Sequence, residues 1–252
     1  VEDNKAFQGL RAEVTSGPAP LYSESLASQS GIIVDFGAHL TGYVTFSLKS
    51  LDLTADAPVR LKFTFGETLA EVARPLDPYN GSLSRAWLQD ETVTVVYMPE
   101  TVEIPRRVAF RYVRIDVLAV PNFSFCFENL SCRALTSASC LVEPLPVHVS
   151  DEIREIDRIG LNTLSECMHT VFEDGPKRDR RLWIGDLYLQ AMSNNVSFAQ
   201  QDLTRRCLYL LAALSDENGC LNGTVFEEPY PHAQKGQFLL DYSLLYNVTL
   251  LD

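Results

Sequence analysis

Asp174-Gly175-Pro176-Lys177-Arg178-Asp179-Arg180-Arg181-Leu182-Trp183-Ile184-Gly185-Asp186 packs three carboxylates, four cations and a tryptophan into thirteen residues. It lies between two stretches with helical apolar spacing. Gly175 suits the left-handed residue that closes a helix, and Pro176 cannot continue one. The reading therefore ends a helix at or just before Asp174 and opens another near Asp186, leaving the polar cluster in the connection. Rigid scaffolds present chemistry on such connections. Carboxylates interleaved with guanidiniums beside one large aromatic face grip hydroxyls and cover C–H surface, which points to a carbohydrate.

Upstream of the cluster, Ser150 is a good N-cap and Asp151 and Glu152 suit a first turn. Apolar or small residues recur at Ile153, Ile156, Gly160, Leu164, Cys167 and Val171, the spacing of one long amphipathic helix. Downstream, helices are expected from about Asp186 to Ala199, from Leu203 to Leu214 with Asn218-Gly219 closing it, and from near Phe238. These helices do not close on themselves. Leu208, Leu211, Leu244, Leu245 and Leu251 are therefore expected to include an exposed apolar strip.

Further upstream the pattern changes. Glu143-Pro144-Leu145-Pro146 reads as a stiff linker, and before it the text is β-like. Ile32 to Phe36, Gly42 to Leu48 with period-two alternation, Val59 to Phe65, Thr92 to Tyr97, Val108 to Leu118 and Leu130 to Leu135 read as short antiparallel strands. Six such strands separated by Gly, Pro and Asp clusters predict two packed sheets, with Phe36, Val44, Phe46, Leu61, Phe63, Val113 and Ile115 inside. The 70s and 80s, with Pro75, Pro78 and Asn80-Gly81, read as one long loop. The organisation expected is a loosely ordered lead-in over 1–30, a β-sandwich over 31–142, a linker over 143–149 and a helical domain over 150–252.

Composition limits the partners. The 252 residues are 46% apolar, enough for a real core, and Lys+Arg 21 against Asp+Glu 33 gives a formal charge of -12. Such a surface repels phosphate backbones, so nucleic acid is not an expected partner. No apolar run reaches the roughly 18 to 20 residues that span a bilayer, so no membrane partner is expected either, and the N-terminus has neither a starting Met nor a signal-peptide core. Asn80, Asn122, Asn129, Asn195, Asn222 and Asn247 each begin an Asn-x-Ser/Thr triplet, which favours a secreted glycoprotein over a cytoplasmic one. The cysteines at 126, 132, 140, 167, 207 and 220 leave disulfides open, with Cys167 and Cys207 read as buried thiols on helix faces. His39, His148, His169 and His232 are isolated from one another and from any Cys pair, so neither a metal, a cofactor nor a Ser-His-Asp triad is expected.

The cluster resembles the signature of the bacterial-type α-L-rhamnosidases, glycoside hydrolase family 78, written D-C-P-x-R-E-R-L-G-W-x-G-D, with the same spacing from first to last Asp. The β part is similar to that family's sandwich at Val34-Asp35-Phe36-Gly37 with Thr41-Gly42-Tyr43-Val44, at Phe65-Gly66-Glu67-Thr68-Leu69 and at Phe110-Arg111-Tyr112-Val113-Arg114. The resemblance covers roughly 31 to 252. It implies a two-domain chain, an antiparallel β-sandwich followed by the first helices of an (α/α)6 barrel of the six-hairpin glycosidases, and an inverting hydrolase that removes terminal α-L-rhamnose from oligosaccharides or glycosides. Asp174, Arg178, Trp183 and Asp186 fall on positions that hold the sugar, and Asp179 on the general acid. The family's acid is usually Glu, one methylene longer than Asp179, so Glu173, Glu227 and Glu228 are alternatives. Asp241, in a segment resembling the family's next inner helix, is expected to reach the sugar. The family's general base is a Glu far downstream, with no counterpart among these helices. The fragment alone is therefore expected to be inactive.

Each residue also has a plainer reading. Asp186 after Gly185 suits a helix N-cap, Lys177 to Arg181 a solvated basic turn, Trp183 core packing, and Glu227-Glu228-Pro229 a solvated acidic turn. A carbohydrate-binding sandwich or a catalytically inactive relative is the alternative function.

Overall fold

The computed structural model describes residues 2–4, 9–11, 17–28, 31–52, 55–119, 121–139 and 142–251. The chain forms two compact units, Val1–Ala134 and Leu135–Asp252. The division falls upstream of the expected linker. Ser137 N–H donates to the Met168 carbonyl at 2.7 Å and the Thr136 hydroxyl to the Ser165 carbonyl at 2.6 Å, so residues 135–139 already belong to the helical unit.

The first unit is an antiparallel sheet. A short hairpin, β1 (Glu2–Asn4) with β2 (Gly9–Arg11), precedes it, and 3-10 turns at Ala19–Tyr22 and Leu26–Ser28 follow. Leu26 is fully buried, so the described part of the lead-in contributes to the core. The main strands are β3 (Ile32–Ser50), β4 (Val59–Gly66), β5 (Asp90–Val95), β6 (Thr101–Glu103), β7 (Val108–Ala119) and β8 (Phe125–Ala134), with a short helix α1 (Leu69–Ala73). Their order is β5-β4-β7-β3-β6, with β8 also paired to β3.

Two expected strands are one. The break at Phe36-Gly37-Ala38-His39 is a bulge inside β3, where the register with β7 shifts between Asp35 and Leu40. Gly37 takes φ +82 there and its N–H donates to Asp35 Oδ1 at 2.8 Å, so the chain kinks without turning back. β3 is thus long enough to pair β7 with its first half and β8 with its second. Gly42 marks the changeover: a methyl there would sit 2.8 Å from the Arg133 carbonyl carbon of β8, so only glycine lets the strands meet.

The hydrogen bonds join all six strands into one sheet, where two were expected. That sheet nevertheless folds across its own face. Phe63 is paired through Ile115 of β7 to Ile32 at the start of β3, whereas Phe46 lies near the other end of β3, opposite Val102 and Leu130. A flat sheet would hold them far apart, at about 3.3 Å per residue along the strand. Their ring centroids are 4.9 Å apart. Val44, Phe46, Leu61, Phe63, Val113 and Ile115 are buried as expected, and Phe36 is half-buried with its ring edge-on to Phe110 at 5.0 Å. Gln89, buried just ahead of β5, acts as a strand extension: its amide donates to the Ala109 carbonyl at 2.7 Å and accepts from the Ala109 N–H at 2.8 Å.

The second unit holds α2 (Asp151–Cys167), α3 (Ile184–Asn195), α4 (Gln201–Ala213) and α5 (Leu240–Leu251), with a three-stranded sheet of β9 (Leu182–Trp183), β10 (Thr224–Phe226) and β11 (His232–Ala233) in the order β11-β10-β9. The Ser150 hydroxyl caps α2 by accepting from the Ile153 N–H at 3.4 Å. α2 stops at Cys167, well short of Asp174. Met168 turns extended, bridges to Phe172, and buries with Val171 and Phe172 in the helical core, so tertiary burial ends the helix before Gly175 can.

That core also takes Leu164, Leu182, Ile184, Leu187, Leu203, Cys207, Leu208 and Leu211. Between α3 and α4 the buried Asn194 side chain accepts from the Gln200 N–H at 3.0 Å, and Tyr246 of α5 donates to the Leu208 carbonyl at 3.2 Å. The expected apolar strip is partial. Leu208 and Leu211 are buried and Leu245 packs on the core, whereas Leu244 and Leu251 are exposed, as are Ile153, Ile156 and Ile159 of α2. No helix among the described residues is long and apolar enough to cross a membrane.

The described cysteines, 126, 132, 167, 207 and 220, are all free, and Cys140 lies outside the described residues. Burial pushes the Cys167 and Cys207 thiols up to about 12, consistent with packing residues. Of the sequon asparagines, 80, 122, 129, 195 and 247 are exposed and Asn222 is half-buried.

Candidate functional site

The polar connection is a loop pinned on one of its own carboxylates. Asp174 N–H donates to the Arg181 carbonyl at 2.9 Å, and the Asp174 carboxylate accepts from the Arg181 N–H at 3.1 Å and the Asp179 N–H at 3.3 Å. Gly175 closes the same loop by accepting from the Arg180 N–H at 3.2 Å, and Arg180 sits at φ +62. A methyl on Gly175 would sit 3.6 Å from the Arg178 carbonyl carbon and closer still to its oxygen, so glycine serves the loop's tight closure and not a helix end. The Arg178–Asp179 peptide is cis.

Arg178 is exposed and its Nε lies 3.2 Å from Asp179 Oδ1, an ion pair between sequence neighbours. Arg181 points the other way. Its Nη1 donates to Gln234 Oε1 at 2.9 Å and its guanidinium lies over the Phe226 ring at 4.3 Å, with His232 stacked on Phe226 at 4.7 Å. Cation–π contact and a neutral acceptor thus hold Arg181 as scaffold for the loop.

β9 carries Trp183 out of the loop. Its partner is β10, with Trp183 opposite Thr224 and Leu182 opposite Val225, and the Thr224 hydroxyl donates to the Leu182 carbonyl at 3.0 Å. The Trp183 indole stands edge-on to Tyr242 of α5, centroids 6.3 Å apart at 87°. Its buried Nε1–H has no partner among the described residues. Tyr242 in turn lies against Gly185, where a methyl would sit 2.5 Å from the ring's Cζ.

Asp186 falls in the first turn of α3, half-buried. Burial pushes its carboxyl up, and the neighbouring Asp174 charge adds to the push. The Tyr242 phenol is likewise held up, by burial first and then by the charges of Asp186, Asp241 and Asp174. Asp174, Asp186, Trp183 and Tyr242 therefore form one cluster between the loop, α3 and α5. Asp179 joins it through its N–H on Asp174. Asp241, one residue before Tyr242, is exposed at the start of α5. Tyr242 is the side chain by which α5 enters the cluster. Its signal in the sequence is the Gly185 that makes room for it, legible only once the two are known to touch.

The alternative acids differ in their surroundings. Both Glu227 oxygens are engaged, by Arg206 Nη2 at 2.7 Å and by the Thr170 hydroxyl. Glu173 is buried with His169, Nε2 to Oε2 3.9 Å, and its carbonyl accepts from Gln190 Nε2 at 2.7 Å. Glu228 is exposed. A cavity of 270 Å³ between α3, α4 and α5, lined by Tyr188, Met192, Leu208 and Leu250 among others, shares no residue with the cluster. Among the described residues no group of three His, Cys, Asp or Glu is placed to hold a metal ion.

The family model described as the glycosyl hydrolase family 78 α-rhamnosidase N-terminal domain matches residues 1–134. Among solved structures, the chain is similar to a rhamnosidase from Klebsiella oxytoca with rhamnose bound, at 44% identity and a TM-score of 0.90 over 95% of this chain and 47% of that one. The family 78 rhamnosidase of Bacillus sp. GL1 (17% identity, TM-score 0.65, 87% of this chain and 21% of that one) and an α-L-rhamnosidase from Dictyoglumus thermophilum (17%, 0.54, 79% and 21%) share the fold. The chain thus spans less than half the length of the Klebsiella protein. No curated protein matches it.

Proposed function

The chain belongs to glycosyl hydrolase family 78, the α-rhamnosidases, and from that premise we propose that its helical unit carries the sugar-gripping and acid side of a site that hydrolyses terminal α-L-rhamnosides. The observation that carries this reading is the convergence of Asp174, Trp183, Asp186 and Tyr242 beside the loop that bears Asp179. The four helices are, in this reading, the beginning of an (α/α)6 barrel.

An inverting glycosidase protonates the leaving oxygen from one face and activates a water on the other, with its carboxyls about 6.5–9.5 Å apart. Asp179 is the acid: it is the loop carboxylate whose side-chain contact is an exposed arginine, Arg178, that an entering sugar can displace. Asp174 and Asp186 accept sugar hydroxyls, and the Trp183 indole covers the C–H face and the methyl. The base, in this reading, is a Glu outside these residues. Secretion, with glycans on exposed asparagines such as Asn80 and Asn122, is a separate proposal that an N-glycosidase mobility shift tests.

The deciding experiment is hydrolysis of 4-nitrophenyl α-L-rhamnoside by the whole protein, with the anomer of the released sugar read by NMR before it mutarotates. Release of β-L-rhamnose supports the reading. Release of the α anomer overturns the inverting scheme, and binding of L-rhamnose without turnover favours a sugar-binding or inactive relative.

A further inference from the structure

We propose that Tyr242 contacts the sugar directly: its hydroxyl takes a hydroxyl group of the α-L-rhamnosyl ring beside the Asp174 and Asp186 carboxylates. This rests on the rhamnoside reading above and adds to it a residue outside the signature loop.

The geometry separates what the ring does from what the hydroxyl does. The ring is fixed on two sides, edge-on to Trp183 at 6.3 Å and flat against Gly185, where not even a methyl fits. The contacts made by ring carbons would be kept by phenylalanine, and the hydroxyl also lies beside Gly185. The half-buried Tyr242 makes no side-chain hydrogen bond to the described residues, and its hydroxyl is open to a ligand. The Trp183 Nε1–H across the aromatic pair is also without a partner. Two polar groups of one edge-on aromatic pair thus have no protein partner, in the field of Asp186, Asp241 and Asp174, and a polyol supplies the donors and acceptors that the protein does not.

A protonated phenol has a hydrogen to give. Burial first, and then the charges of Asp186, Asp241 and Asp174, hold the phenol's proton on. The phenol therefore donates, and a sugar hydroxyl that accepts from Tyr242 can in turn donate to one of the carboxylates. Such a chained hydrogen bond strengthens both links. Asp241, exposed at the start of α5, adds its charge to the same field.

The test uses the whole protein, with Trp183 fluorescence as the reporter of L-rhamnose binding and 4-nitrophenyl α-L-rhamnoside as substrate. Tyr242→Phe keeps the ring contacts, so its thermal unfolding matches wild type while rhamnose affinity falls about ten-fold, the scale of one lost hydrogen bond. Among monodeoxy L-rhamnoses, one binds wild type and Tyr242→Phe equally well, because the group it lacks is the partner. If Tyr242→Phe binds rhamnose as wild type does while Tyr242→Ala loses stability, the residue is only packing and the proposal is overturned. If wild type itself neither binds nor cleaves rhamnosides, the parent reading fails and takes this one with it.

Discussion

Asp174 and Arg181 clasp each other through the backbone: the Asp174 N–H donates to the Arg181 carbonyl at 2.9 Å, and the Arg181 N–H returns a bond to the Asp174 carboxylate at 3.1 Å. The residues between them are closed into a loop by this clasp, and the Asp179 N–H bonds to the same carboxylate at 3.3 Å. The Asp174 carboxylate thus shapes the site before any ligand arrives.

Removing that carboxylate should therefore cost stability as well as binding. Asp174→Ala orphans two backbone N–H groups, and hydrogen bonds to a charged acceptor contribute about 1.5–3 kcal/mol each. The two bonds sum to about 3–6 kcal/mol, and because Asp174 is half-buried water recovers part of it, so a loss of about 2–4 kcal/mol in urea unfolding is expected, with rhamnose binding abolished. Asp174→Asn keeps one acceptor oxygen and should lose about half as much. An Ala variant as stable as wild type would show that the clasp is not needed.

Asp179→Asn should behave differently, because it removes a proton transfer and little of the grip. Turnover is expected to fall about 10²–10⁴-fold with KM changed by less than about three-fold. The loss should be greatest on a rhamnoside with a poor leaving group. Near-normal turnover there would remove Asp179 from the acid's role and send attention to the buried Glu173.

Asp186 gives a pH signature. Its carboxyl is raised from 3.8 by burial and then by Asp174, so the folded state holds that proton more tightly than the unfolded one. Its contribution favours folding below the unfolded value and is lost as pH rises through the folded value. At neutral pH the ionised carboxylate opposes folding, so Asp186→Asn should raise Tm at about pH 7, and the gain should shrink toward about pH 4. Calorimetry at the two pH values checks this, and a variant less stable at pH 7 contradicts it.

Gly185→Ala sets two effects against each other. Within α3, alanine gains up to about 1 kcal/mol of helix propensity over glycine. The added methyl would overlap the Tyr242 ring, and such overpacking costs about 1–3 kcal/mol. Clash should win, so the single variant loses stability and sugar affinity. In a Tyr242→Ala background the same change should be neutral or stabilising. An additive double mutant would show that Gly185 and Tyr242 do not meet.

Phe46→Ala and Phe63→Ala test the folded-over sheet. Each should cost about 3–5 kcal/mol, and because the rings are 4.9 Å apart the double variant should lose about 0.5–1.5 kcal/mol less than the sum. Additivity within error would place the two rings in separate environments.

Much of this was legible in the sequence because local rules agreed with tertiary ones. Period-two alternation put Val44, Phe46, Leu61 and Phe63 inside, and Ser150 started its helix where the hydroxyl could cap it. The misreadings share a cause, which is that punctuation residues act by context. Gly37 kinks a continuous strand where it was read as a gap between two, and Gly175 serves a pinned loop, not a helix end. Tyr242, beside Asp241, enters the cluster through a shape match to Gly185 that no spacing rule encodes.

The Thr224 hydroxyl reaches back to the Leu182 carbonyl across 42 residues, and β9 has its ladder in β10. During synthesis the signature loop therefore emerges before the segment that registers it. Trp183 has no strand to lie on until β10 has been translated, and Tyr242 arrives later still. Among the described elements, the cluster of Asp174, Trp183, Asp186 and Tyr242 is therefore a late product of folding, and mutations in β10, far along the chain, should slow its assembly even where they leave the β-sheet unit's folding rate untouched.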